Sequence, residues 1–195
     1  MVKSNLYRLR SMINRLKSRT RVTVFYHQYL HNMGEEMEQM RQLCSELDMG
    51  FESAWAHLMP LEKSVLICEE SVDSLNEEDR FIYELLVLKP DKASEICREY
   101  TVPCPLRDNQ TAINFDGTAA LCCGVYEPEH FLGNFLDIPY AELQDLKHDN
   151  PMCKTCMKHG LHLSGVYGQG TTAGQRMDAA ADRQLRAANL DVWTD

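Results

Sequence analysis

Residues 103–123 read PCPLRDNQTAINFDGTAALCC and residues 151–156 read PMCKTC, with the insert 124–150 between them. Twelve residues separate Cys104 from Gly117, four more separate Gly117 from Cys122, and Cys153 and Cys156 form a Cys-x2-Cys pair. Pro103 and Pro105 bracket Cys104 in a rigid turn. Asp116-Gly117 falls between the runs 111–115 and 118–122, which predicts a hairpin closed by a two-residue turn with positive φ at both central positions. Glycine takes that conformation without steric cost. The hairpin fixes Cys122 relative to Cys104. Gly133-Asn134 marks a further turn, and a helix predicted over 139–147, with Leu143 and Leu146 inward, delivers the chain to Cys153 and Cys156. Four thiolates brought together can hold a [4Fe-4S] cluster or a tetrahedral zinc ion. Zinc ribbons usually use two Cys-x2-Cys knuckles where this stretch has one, so the spacing favours the cluster.

Working outward, residues 1–66 carry an α/β rhythm. A helix is predicted over 5–18 from Leu6, Leu9, Met12, Ile13 and Leu16, and a strand over 22–30, covered on both faces. A second helix over 35–47 has Met37, Met40, Cys44 and Leu47 on one stripe and ends at Gly50; a second strand covers 51–58. Two strands do not make a domain of this kind, so the segment reads as the terminal βα units of a barrel-like domain. Residues 67–102 read as a helical linker. Ser74 and Glu77 form a capping box, Phe81, Ile82, Leu85, Leu86 and Leu88 face inward, Pro90 stops the helix, and a short helix over 91–100 buries Ile96, Cys97 and Tyr100. Residues 103–160 are the cluster-binding unit. In 161–195, Gly165, Gly168, Gly170 and Gly174 follow Gly160 closely and predict a flexible loop, before a helix over 175–189 with Met177, Ala181, Leu185 and Ala188 on one side.

Composition narrows the function classes. The 195-residue chain carries a net charge of −9, which excludes a general nucleic-acid binder. Seven of its twenty Lys and Arg residues lie between Lys3 and Arg21, and those within the first helix fill its solvated face. No apolar run approaches the roughly 20 residues that cross a membrane, and no signal-peptide core follows the basic residues, so a cytoplasmic protein is expected. The eight cysteines are then expected as thiols. Cys44, Cys68 and Cys97 read as small buried hydrophobes. Strand alternation turns Cys123 away from Cys122. His27, His31, Trp55 and His57 read as core or surface residues, Glu62 and Lys63 as exposed ion-pair partners, and His159 and His162 as loop histidines.

The Cys-x12-Gly-x4-Cys segment, the INFDGTAALCC hairpin, the LGNF turn and the final CKTC resemble the SPASM domain, the auxiliary-cluster module of many radical SAM enzymes. The resemblance covers about residues 103–160. It implies that Cys104, Cys122, Cys153 and Cys156 ligate one auxiliary [4Fe-4S] cluster, in a small α+β domain after the remnant of a radical SAM partial (β/α) barrel. With four protein ligands, the cluster serves electron transfer or structural support. The radical SAM Cys-x3-Cys-x2-Cys loop does not occur in this sequence. S-adenosyl-L-methionine is therefore not expected to bind productively, and the chain is not expected to be catalytic alone. The expectation is the C-terminal part of a radical SAM/SPASM protein, as a fragment, a split-gene product or a degenerate relative. Its implied partners are an upstream radical SAM half or a redox donor protein, with no nucleic acid and no membrane. A zinc-stabilised binding module with four cysteine ligands and no redox chemistry is the alternative.

Overall fold

Strands form where the β-branched and aromatic residues cluster, and a crossover helix joins them. The structure, a computed structural model, describes residues 2–100, 102–166 and 172–187. Helix α1 (Val2–Arg15) precedes β1 (Thr23–Gln28), α2 (Glu35–Glu46) and β2 (Gly50–Trp55). The strands pair in parallel from Thr23 opposite Gly50 to Gln28 opposite Trp55, the arrangement a helical crossover permits. Val24 and Phe51 pack on the core of Leu43, Cys44, Leu47 and Met49, with Leu6 of α1 beside them. The expectation of strands covered on both faces is corrected: burial alternates, and Thr23, Phe25, His27 and Glu52 face solvent. Helices cover the sheet on one side, so alternate residues of β1 stay wet whatever their hydrophobicity. Gly50 does not end α2 either. Asp48 takes a left-handed φ of 51°, Met49 N–H donates to Cys44 O at 2.8 Å and Asp48 N–H to Ser45 O at 3.1 Å, which is a Schellman closure.

Helices α3 (Leu61–Glu69), α4 (Glu77–Leu85) and α5 (Pro90–Cys97) follow. Ala56, Leu58, Ile67, Leu75, Tyr83 and Leu86 form a buried cluster where β2 runs into them. The predicted capping box lies two residues too early. Asn76 caps α4, its Oδ1 accepting from Asp79 N–H and its Nδ2 donating to Asp79 Oδ2, both at 2.8 Å, while Ser74 Oγ bonds Glu70. Pro90 opens α5 rather than stopping a helix, because the first helical turn needs no N–H there. Phe81 points to solvent.

The cysteine-bearing half contains α6 (Pro105–Asn109), β3 (Ala112–Ile113), β4 (Thr118–Ala120), β5 (Phe131–Asn134), α7 (Tyr140–Asp149) and α8 (Pro151–Lys158). Its antiparallel sheet has the order β3-β4-β5. The hairpin forms at the predicted place with a different turn. Asn114 N–H donates to Thr118 O at 2.8 Å and Gly117 N–H to Asn114 O at 3.0 Å, leaving a three-residue loop in which Gly117 has φ +87° and Asp116 does not turn positive. Leu143 is fully buried in α7, whereas Leu146 remains 39% exposed.

Helices α9 (Leu161–Val166) and α10 (Thr172–Ala187) replace part of the predicted loop: Gly165 lies in α9 and Gly174 in α10. Gly168, Gly170 and Ala188 lie outside the described residues. Met177 packs with Leu88, Cys97 and Leu163, and Ala181 and Leu185 pack with Val87, so α10 is seated on the apolar side its periodicity predicts. The protein is a mixed α/β fold, mostly helical, with two small sheets among the described residues. Among the described residues no helix is long and apolar enough to cross a membrane.

Candidate metal centre

Each of the four cysteines is held by its own local structure. Cys104 is the residue before α6; Pro105 starts that helix, and Arg107 and Asp108 N–H donate to Cys104 O at 3.1 and 3.0 Å. Cys122 lies two residues beyond β4, and Cys123 beside it is exposed. Asn150 caps α8, its Oδ1 accepting from Met152 N–H at 2.9 Å, and Pro151 takes the first helical position. Three residues apart, Cys153 and Cys156 then share one face of α8.

All four sulfur-bearing residues line one cavity of about 230 Å³, walled mainly by apolar side chains including Leu106, Leu121, Val125 and Leu161. Cys123 contributes to its rim. All eight cysteines are free thiols. Among the described residues no three His, Cys, Asp or Glu side chains converge closely enough to hold a single metal ion.

Burial disfavours thiolates here. The Cys122 thiol is pushed up to about 11, first by burial, against a lowering hydrogen bond from Gly124 N–H, with Cys123, Cys104 and Cys153 adding to the rise. Cys156 is raised by burial and by Cys122, Cys104 and Cys153, and the His162 N–H opposes this. Cys153 is raised by burial and opposed by Arg107. Cys122 and Cys156 already accept backbone N–H groups, the hydrogen bonds that metal-bound thiolates use. A cation that displaces the protons removes the cost of bringing four such groups together.

Two basic side chains flank these thiols, and neither stands out in the sequence. Lys147 is 1% exposed, and its Nζ donates to Gln110 O at 2.6 Å, to Leu106 O at 3.3 Å and to Arg107 O. It joins α7 to the turn that carries Cys104. Arg107 lines the cavity, with Nη1 3.0 Å from Met157 Sδ and Nε donating to Asp108 at 2.8 Å. A lysine in the last turn of a helix, beside the exposed Leu146, reads from sequence as a surface residue. Only its buried setting distinguishes it.

Glu62, expected in an exposed ion pair, instead binds backbone. Its Oε1 accepts from Tyr126 and Glu127 N–H, both at 2.9 Å, and Leu61 N–H donates to Gly124 O at 2.7 Å. The start of α3 thus clamps the turn that follows Cys122. Lys63 does form an ion pair, with Asp79 at 2.5 Å. Glu62→Ala is expected to cost about 2 kcal/mol, from two hydrogen bonds to a charged acceptor. Amide exchange should report it: protection at Tyr126 and Glu127 should fall while α10 amides keep theirs. Unchanged exchange at both amides would show that the clamp carries no energy.

The histidines separate by position. His159 lies outside the cavity, bonded to Glu69 through Nε2 and 3.4 Å from Ser94 Oγ through Nδ1. His162 is no loop residue; it sits in α9, 5% exposed, lines the cavity, and its Nε2 meets Val102 O at 3.0 Å. Its buried Nδ1 has no hydrogen-bond partner among the described residues. His57 reaches the cavity edge, whereas His27, His31 and Trp55 do not line it. Cys44 and Cys97 are fully buried among apolar side chains, and Cys68 is half-buried with Sγ 3.9 Å from Pro90 O. No protein family, no curated protein and no solved structure matches this chain.

Proposed function

We propose that this protein binds one [4Fe-4S] cluster through Cys104, Cys122, Cys153 and Cys156 and uses it for electron transfer or structural support, in the manner of the SPASM modules its cysteine stretch resembles. The observation that carries the reading is the shared cavity: four cysteines from three separate segments line one apolar-walled space of about 230 Å³. A single zinc ion with Zn–S distances of about 2.3 Å draws its four sulfurs into contact and leaves no cavity between them. A cuboidal cluster needs the sulfurs held apart around a volume. The donor set fits as well, since four thiolates complete the coordination of such a cluster and leave no iron open to substrate. When bound, the cluster supplies one-electron redox chemistry. The chain's own residues exclude water with Leu106, Leu121 and Val125, hold the Cys104 turn through Lys147, and hold the Cys122 turn through Glu62. On this reading the partners are a radical SAM half-barrel or a one-electron donor protein.

Anaerobic purification followed by iron, sulfide and zinc analysis tests the proposal. The expected protein is brown, with about four irons and matching sulfide per chain and an absorbance shoulder near roughly 400 nm. A colourless protein with one zinc per chain would overturn it in favour of a structural zinc site built on the same four thiolates.

A further inference from the structure

Lys147 is the most anomalous side chain in the molecule. A lysine is almost never fully buried unless it is paired, yet this one is 1% exposed. Its three donors are met by the carbonyls of Leu106, Arg107 and Gln110. Carbonyl dipoles satisfy the hydrogens and leave the charge uncompensated. Among the described residues no carboxylate lies within ion-pair distance of its Nζ, and Asp108, the one carboxylate that favours its charge, is engaged by Arg107 and by His148 at 3.2 Å. Leu106 and Arg107, whose carbonyls hold Lys147, line the cavity. Burial lowers the lysine's pKa, and Cys153, Cys122, Asp108 and Cys104 oppose that shift. Three of those four groups are the cysteines of the cavity. A neutral donor such as glutamine can tie two segments together at far lower desolvation cost, so a tether alone does not account for a buried cation.

We propose that Lys147 is the fixed counter-charge of the cavity, stabilising the more negative, reduced state of the centre held by Cys104, Cys122, Cys153 and Cys156. The inference rests on the cluster reading above. Reduction takes one electron from a one-electron donor, which is thereby oxidised, and adds one negative charge at the centre with no bond made or broken. An ammonium held in a low-dielectric setting by three carbonyls does not reorient as that charge arrives, so its full field acts on the reduced state. Arg107 shares the sign but lies beside Asp108, which offsets it. Lys147 acts through the field and the Cys104 turn, as a positioning residue.

The test is the midpoint potential of the reconstituted full chain, titrated anaerobically with dithionite and followed by the bleaching of cluster absorbance. In Lys147→Met the reduced-to-oxidised ratio at the wild-type midpoint should fall at least tenfold, a displacement of about 59 mV to more negative potential for one electron. Lys147→Arg keeps the charge and should stay within threefold of wild type. Should Lys147→Met not hold a cluster, Lys147→Gln, which keeps a donor without the charge, gives the same comparison. A loaded neutral variant with the wild-type midpoint overturns the inference and leaves the cluster reading standing. A wild-type protein that takes up no iron and sulfide fails that reading first, and this inference with it.

Discussion

Gly160→Ala should destabilise the protein by about 3 kcal/mol, summing a left-handed backbone penalty of about 1 kcal/mol and an overpacking cost of about 2 kcal/mol. For a chain of this size that lowers the thermal midpoint by roughly 6–12 °C. Gly160 has φ +67° and follows α8, where its N–H donates to Met157 O at 3.0 Å. A Cβ there would lie 2.5 Å from the Cys97 carbonyl carbon, 2.7 Å from Cys97 Cβ and 2.8 Å from Arg98 N. Two of these neighbours are backbone of the α5 end, which does not move aside as a flexible side chain does. The contact is where the junction between α8, which carries Cys153 and Cys156, and α9 is seated against α5, so the substitution loosens the site as well as the fold. Gly124→Ala is the control. Its Cβ would meet Leu61 and Met59 side chains at 3.5 and 3.6 Å, ordinary contact distances, and the midpoint should shift little. Equal midpoints for Gly160→Ala and wild type would show that the α8–α9 junction separates from α5 at no cost.

Gly160 also shows where sequence reading stops. In a run with Gly165, Gly168, Gly170 and Gly174, it reads as one of several loop glycines. Its role is a helix end pressed on another helix, and the partner, Cys97, lies far away in the chain. Periodic signals were legible because they are local. The α10 stripe of Met177, Ala181 and Leu185, the crossover between β1 and β2, and the hairpin around Gly117 all repeat at fixed short spacing. What depends on contact between distant segments was not. Lys147 reads as one more charged helix residue until the Cys104 turn is laid over it, and Glu62 as an ion-pair partner until residues 126 and 127 present their N–H groups. His162 had one weak signal, its place six residues beyond Cys156, but only α9 turns it into the cavity wall. Near-miss boundaries have a similar cause. The cap of α4 passes from Ser74 to Asn76 because Asn76 makes two bonds with Asp79, a choice that residue types alone do not rank.

Cys153→Ala should lose most of its iron while Cys123→Ala keeps the wild-type content, measured as iron and sulfide per folded chain after anaerobic reconstitution. The cysteines differ in setting rather than in chemistry. Cys153 lines the cavity on the face of α8 that also carries Cys156, and Arg107 opposes the burial that keeps its thiol protonated. Cys123 is exposed at the rim; it lies with Cys122 in the turn after β4, so its setting follows from that turn and not from the strand alternation expected of it. Removing a ligand leaves the cluster with three thiolates and a gap in an apolar wall, so iron occupancy should drop by about tenfold or more. Removing a half-buried thiol costs the apoprotein only about 1 kcal/mol, so the apo variants should melt within about 4 °C of each other. That separates loss of a ligand from loss of the fold. Equal iron loss in both variants at equal apo stability would mean that Cys122 and Cys123 exchange the role assigned to Cys122. Full iron in Cys153→Ala would mean that another donor reaches the centre, with the buried Nδ1 of His162, which has no hydrogen-bond partner among the described residues, the first to examine.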